Sequence, residues 1–308
     1  IMSFAIKFMV INNSHTPVTW MNFEGDYIVS IKKHFIVDEA LIQQKVWKES
    51  FKDTNNSICL PIINLYFSDQ TLTPDDNEHI LQLFMQALNN NNIRIDKSVG
   101  IQTFAIVTMP FYSNSNVLQS IISDINNNKY MSKYVVTAIV QCLRLALDYH
   151  IIHYDLHAGN ILYKKQDRLK QEYGDVVIID FGRVSDLYSK HDRDQYIREN
   201  ITKKIIRDKL KDLKKDIYNI IDINTSTSQD KINVVQKCLD QIKLAEINHV
   251  PGFKKSPLTS YNLLWTQFIP FKKDLFRQAF DEYANIIKHT HNLNFNTDDR
   301  SEEHTSEL

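Results

Sequence analysis

Glycine is scarce in this chain, with six in 308 residues, and proline is scarcely commoner at seven. The glycines stand apart, at Gly25, Gly100, Gly159, Gly174, Gly182 and Gly252, so no G-x-G-x-x-G phosphate loop can be read. Cysteine is rarer still. Cys59, Cys142 and Cys238 are distant from one another and odd in number, which excludes a disulfide framework and the short spacings of thiolate metal sites. Reduced thiols in a reducing, cytoplasmic compartment are expected. No run approaches the roughly 20 uncharged apolar residues that span a bilayer, and no cleavable leader pattern opens the sequence, so no membrane association is expected. The 36 basic and 37 acidic residues leave a formal net charge of -1, which removes any global pull towards nucleic acid or an anionic surface.

With 43% hydrophobic and 24% charged residues, the chain can bury a sizeable core as one large domain or two lobes. Up to about residue 115, short β-type runs surround one helical pattern; beyond it helical periodicity dominates. Strands are expected at Phe4 to Ile11, Tyr27 to Ile31, Ile58 to Leu65 and Thr103 to Pro110, and a helix from Asp38 to about Phe51. A hinge falls at Pro110 to Asn114. Ser132 to His150 is apolar nearly all round, as a helix in the middle of a lobe should be. Val176 to Ile179 has the length and type of a buried strand. Further helices are expected at about 193 to 222, 229 to 247, 258 to 268 and 271 to 290. The asparagine runs Asn89 to Asn92 and Asn126 to Asn128 suit solvated loops. Lys203 to Lys215, interleaved with Asp208, Asp212, Ile206 and Leu210, reads as an amphipathic helix with a solvated basic face. The sequence opens at Ile1 inside a strand pattern, which suggests N-terminal truncation, and 300-308 reads as a probable non-native tail.

The strongest signal is His153-Tyr154-Asp155-Leu156-His157-Ala158-Gly159-Asn160-Ile161-Leu162, followed by Ile178-Ile179-Asp180-Phe181-Gly182. Two separate carboxylates and an amide, each at a loop beside an apolar strand, form the hard-oxygen donor set that a magnesium-nucleotide site requires. These residues resemble the catalytic loop and the metal-binding loop of the protein-kinase-like superfamily. Asp155 and Asn160 stand five residues apart, as the family's catalytic Asp and Mg²⁺-binding Asn do. Asp180-Phe181-Gly182 matches the family's metal loop residue for residue.

The resemblance implies an α+β, two-lobed protein-kinase-like fold: a small, incomplete β-rich N-lobe over 1-110 and a larger helical C-lobe over 111-296. It implies ATP and Mg²⁺ as cofactors, held in the cleft between the lobes. By the same resemblance, Asp155 handles the acceptor hydroxyl, Asn160 and Asp180 bind metal, Lys7 on its strand holds phosphates, and Glu39 on the following helix pairs with Lys7. Glu49 and Glu24 are weaker partners, and Met109 lies at the nucleotide-binding hinge. For Lys7 a strand lysine facing solvent is the rival reading; for Glu39 it is an acid favoured at a helix start. His153 reads as a packed structural residue. His157 stands where serine/threonine kinases often carry a Lys near the γ-phosphate, and catalytic and structural roles are both open for it.

Tyr154 replaces the Arg usual before the catalytic Asp, and no Ala-Pro-Glu follows Gly182. The wording Leu156-His157-Ala158-Gly159-Asn160 resembles divergent branches: atypical protein kinases, aminoglycoside- and choline-type kinases, and viral serine/threonine kinase-like proteins. The expected activity is therefore ATP- and Mg²⁺-dependent phosphoryl transfer, by a divergent serine/threonine protein kinase acting on a protein substrate. The rivals are a kinase for a small-molecule alcohol and a non-catalytic pseudokinase. A viral origin would place the protein in the host cytoplasm.

Overall fold

The computed structural model describes residues 4-11, 19-21, 27-29, 33-54, 56-69, 73-90, 103-112, 115-118, 120, 132-164, 175-188, 197-222, 226-248 and 273-302. The expected helix at 258 to 268, Glu24, Asn114 and Asn126 to Asn128 lie outside them. The chain is a mixture of α and β structure, mostly helical, with small antiparallel sheets. It divides into two compact units, Ile1–Gln44 with Pro61–Tyr112, and Lys45–Leu60 with Ser113–Leu308.

The first unit contains β1 (Phe4–Val10), β2 (Thr19–Met21), β3 (Tyr27–Val29), the first half of α1 (Lys33–Thr54), β4 (Asn64–Phe67), α2 (Pro74–Asn90) and β5 (Phe104–Pro110). β1, β5 and β4 form one antiparallel sheet in that order, while β2 pairs with β3. Strand side chains alternate between faces, so Lys7 shares a face with Met9 and Ile11. Met9 and Ile11 are buried with Ile36 of α1, Phe67 of β4, and Ala105 and Val107 of β5, which form the unit's apolar core. Phe4 and Ile6 take the other face and are exposed.

Three elements depart from expectation. α1 starts at Lys33, five residues before Asp38, because the buried positions Ile36, Glu39, Ala40 and Gln43 already follow helical spacing there. The run expected as a strand from Ile58 to Leu65 is split at Pro61, which has no N–H to give a ladder. Cys59 instead bridges to Ile178 within the second unit, and the strand proper begins at Asn64, opposite Thr108 of β5. α2 was not expected at all. Thr73 caps it, accepting from the Asp76 N–H at 3.2 Å and donating to the Asp76 carboxylate at 2.6 Å, with Pro74 at its first position and two acids in its first turn. Asn89 and Asn90, assigned to a loop, close this helix.

The second unit contains the rest of α1, then β6 (Ser115–Val117), α3 (Ser132–Leu147), β7 (Ile151–Ile152), β8 (Ile161–Lys164), β9 (Val176–Ile178), β10 (Ser185–Asp186), α4 (Ile197–Asp222), α5 (Ser228–Asn248) and α6 (Lys273–Glu302). α3 is its centre: from Tyr134 to Leu147 every residue except Thr137 is buried. It packs on α6 and β9, and α5 packs on both α4 and α6. The basic segment of α4 is amphipathic as expected, with Ile206, Leu210 and Ile217 inside and Lys204, Lys209, Lys211 and Lys215 outside. Lys214 of α4 and Tyr283 of α6 both bond the Asp148 carboxylate at 2.7 Å, tying three helices at the end of α3. α6 runs through Glu302, so residues 300-302 continue a helix. Cys59, Cys142 and Cys238 are buried and form no disulfide. Burial pushes the Cys59 thiol up and that of Cys238 to about 12, which keeps both protonated and unreactive.

Among the polar side chains buried on α3, Arg144 stands out at 1% exposure. Its guanidinium donates to the Ser50 and Asn56 carbonyls at 3.3 and 3.1 Å, to Thr54 Oγ1 at 3.2 Å and to Gln141 Oε1 at 3.1 Å. It also reaches the Tyr149 hydroxyl at 3.4 Å, which donates in turn to Asp53 at 2.7 Å. The last turn of α1 and the chain just beyond it are thereby tied to α3 through one buried charge. Arg144→Met should strip these acceptors of the guanidinium, leaving the single Thr54 hydroxyl hydrogen to serve both the Ser50 and Asn56 carbonyls and costing about 3 kcal/mol. Urea unfolding of the full chain checks this by a lowered midpoint at unchanged slope.

Candidate active site

Within the second unit, the segments 151-163 and 175-183 lie side by side because β8 and β9 pair antiparallel with Ile161 opposite Ile178. The ladder continues one step beyond the strands, where the Ile179 N–H donates to the Asn160 carbonyl at 2.9 Å. Asn160 thus stands across from the residue preceding Asp180. The Asn160 side-chain N–H donates to the Asp155 carbonyl oxygen at 2.9 Å, which bridges the five-residue spacing and leaves Oδ1 as the end able to ligate. Asp180 is exposed and left-handed at φ 61°, ψ 66°, and opens the 3₁₀ turn Phe181–Arg183. Tyr154, just before Asp155, is also left-handed at φ 55°. For a bulky residue that conformation costs about 1–2 kcal/mol, and it sets the direction in which Asp155 leaves the backbone.

His153 joins the two segments from below. It is fully buried, its Nε2 lies 3.0 Å from the Ile179 carbonyl oxygen, and its ring meets Phe181 edge-on at 5.5 Å. A carbonyl only accepts, so Nε2 carries the proton and donates. Nδ1 then has no hydrogen-bond partner among the described residues. Burial holds the His153 pKa down to about 4, against the Ile179 hydrogen bond and the carboxylates of Asp180 and Asp155, which pull it up. These groups therefore share one electrostatic neighbourhood.

His157 caps the 3₁₀ turn Ala158–Asn160, accepting the Gly159 N–H at Nδ1 over 3.1 Å. A residue absent from the sequence expectations takes the place of a cation here: Arg183 Nη1 lies 3.6 Å from Asp155 Oδ2. Its position directly after Gly182 was the available signal.

In the first unit, Lys7 stands opposite Val107 in the β1–β5 register and its ammonium meets the Glu39 carboxylate at 2.5 Å. The strand's alternation explains this, since Lys7 lies on the core face that α1 covers. Glu39 is 5% exposed and seven positions into α1, so it is no first-turn acid stabilised by the helix dipole. Gln43, one turn on, donates to Met109 Sδ at 3.3 Å and anchors α1 to β5. Met109 itself packs partly buried against the apolar core. Glu49 lies on the half of α1 that belongs to the second unit.

Among the described residues, no group of three or more His, Cys, Asp or Glu side chains is placed to hold a metal ion. Mg²⁺ is bound in nucleotide sites by one or two carboxylates plus substrate phosphates, and an exposed Asp180 carboxylate with the Asn160 amide oxygen fits that donor chemistry. No helix among the described residues is long and apolar enough to cross a membrane.

Residues 102–217 match the family model of the ABC1 atypical kinase-like domain, a branch of the protein-kinase-like superfamily. The match takes in β5, both site segments and most of α4; Lys7 and Glu39 lie outside it. No curated protein matches the chain.

His153 gives this site a pH signature. The ring takes up a proton near the ordinary value of 6.5 when unfolded but only near 4 when folded. The stability it contributes is therefore present above pH 6.5 and lost as the pH falls towards 4, by about 3 kcal/mol. Denaturant unfolding at pH 7.5 and pH 4.5, without nucleotide, should show a smaller drop for His153→Gln than for the unaltered chain. Glutamine keeps a donor for Ile179.

Proposed function

We propose that the chain transfers the γ-phosphoryl group of ATP to a hydroxyl, as a divergent serine/threonine protein kinase, with the first unit as the small lobe and the second as the helical lobe. The observation that carries this reading is the joining of the two site segments. Asn160 bonds Asp155 through its side chain and Ile179 through its backbone, so acceptor-side and metal-side groups are fixed to each other.

Phosphoryl transfer needs positioning and charge neutralisation more than covalent chemistry. Asn160 Oδ1 and the Asp180 carboxylate would hold Mg²⁺, which when bound neutralises phosphate charge. Lys7, oriented by Glu39, holds the α and β phosphates, and the backbone near Met109 receives the base. Asp155 takes the proton of the attacking hydroxyl as the new oxygen–phosphorus bond forms. The bond to the β-bridging oxygen breaks and ADP leaves with that electron pair. The match to an atypical kinase branch supports the reaction class, and the separated, buried thiols suit a reducing compartment such as the cytoplasm.

A second reading, a small-molecule alcohol as acceptor, draws on the shortness of the chain between Gly182 and α4. Its first part is already engaged, since β10 pairs with β7 and Lys45 bonds Asp186 at 3.0 Å. That leaves little chain to dock a polypeptide.

Transfer of labelled γ-phosphate from Mg-ATP, offered to the chain itself, a generic protein and a panel of small alcohols, separates these readings. Label on protein is expected, reduced at least about 100-fold by Asp155→Asn and likewise by Asp180→Asn. Label on small alcohols alone would move the chain to the second reading. No transfer, with no binding of Mg-ATP, would make it a pseudokinase and contradict the proposal.

A further inference from the structure

Neither 151-163 nor 175-182 contains a Lys or Arg. A phosphoryl group in flight spreads negative charge over its oxygens, and the sites that transfer it surround it with metal ions and fixed cations. His157, at the position where a Lys would serve, has its Nδ1 taken up in capping the turn Ala158–Asn160. The cation that the fold sets beside Asp155 is Arg183.

We infer that Arg183 is a catalytic residue of this site, contacting the transferred phosphoryl group. The inference rests on the kinase reading above. Arg183 ends the 3₁₀ turn that Asp180 opens, and the turn is anchored by Phe181, which is fully buried against His153. Its backbone is thus fixed three residues after Asp180, and its guanidinium lies 3.6 Å from the Asp155 carboxylate. The 3.6 Å separation of Nη1 from Asp155 Oδ2 exceeds hydrogen-bond length, so the attraction across it is electrostatic. The side chain is half exposed, where an incoming anion can reach it. A planar fork of donors suits phosphoryl oxygens better than the single point charge of Lys. The covalent chemistry is unchanged: the acceptor oxygen gains the phosphorus, ADP leaves with the electron pair, and the proton passes to Asp155. Arg183 supplies only charge and donors to the group that moves.

A contact with the γ-phosphoryl distinguishes ATP from ADP, whereas a latch that merely holds Asp155 does not. Calorimetric titration of the full chain with Mg-ATP and with Mg-ADP reads this before any acceptor is identified. The unaltered chain should prefer ATP, and Arg183→Gln should lower that preference by about tenfold to a hundredfold while leaving ADP affinity in place. Arg183→Lys should fall between. Retained ADP binding shows at the same time that the variants are folded. An unaltered preference in Arg183→Gln, or no preference in the parent chain, would overturn the inference and leave the kinase reading standing. Binding of neither nucleotide by the parent chain would overturn both.

Discussion

The antiparallel pairing of β8 with β9 is the constraint on which the candidate site depends. β9 is buried along its whole length, as a strand covered on both sides must be, and β8 buries Ile161 and Tyr163 while Leu162 and Lys164 are only partly covered. Because side chains alternate, a slip of one residue would carry every buried side chain of β8 to the wrong face, so burial fixes the register. Once Ile161 faces Ile178, Asn160 must face Ile179, and the loop residues Asp155 and Asp180 are delivered to the same end of the short ladder, one by the strand that enters there and the other by the strand that leaves. His153 then seals the pair by bonding Ile179 from a fully buried position. Left-handed backbone at Tyr154 and Asp180 is the local cost of turning sharply out of that core, and the packing of Phe181 and His153 offsets it.

Charge in this molecule is local. The chain is nearly neutral overall, yet Asp155, Asp180 and Arg183 gather on one edge of the second unit, and Lys7 with Glu39 forms a close pair on the core face of the first. The Lys7–Glu39 pair is only partly desolvated, so its contribution to stability is modest; its consequence is orientation, since a carboxylate held on α1 fixes where the ammonium points. The buried Arg144 has the opposite character. It is enclosed, bonds two backbone carbonyls and three side chains around the end of α1, and belongs to the architecture rather than to the chemistry.

Much of this was legible in the residues. The spacing of Asp155 and Asn160 and the run Asp180-Phe181-Gly182 were sufficient to name the two loops, and the apolar surround of Ser132 to His150 was sufficient to name the central helix, which ends three residues sooner, at Leu147. Other features needed the third dimension. The place of Arg183 directly after Gly182 sets it beside the second loop, but nothing in the sequence shows that it approaches Asp155, 28 residues away, or that His157 spends its Nδ1 on a turn. The strand expected at Ile58 failed because an apolar run does not reveal which partner each half will find on either side of Pro61. α2 carries a legible start, Thr73-Pro74-Asp75-Asp76, and its half-buried positions, Asn77, Ile80, Leu81, Phe84 and Met85, keep helical spacing.

The account turns on the claim that Asn160 and Asp180 hold a divalent cation together with a nucleotide. Mn²⁺ prefers the same octahedral oxygen donors as Mg²⁺ and reports its surroundings by electron paramagnetic resonance. Added to the chain with ATP, it should give the broadened spectrum of an immobilised Mn-ATP complex, and Asp180→Asn should return the spectrum to that of Mn-ATP in solution. A spectrum indistinguishable from Mn-ATP in solution for the unaltered chain would contradict the account.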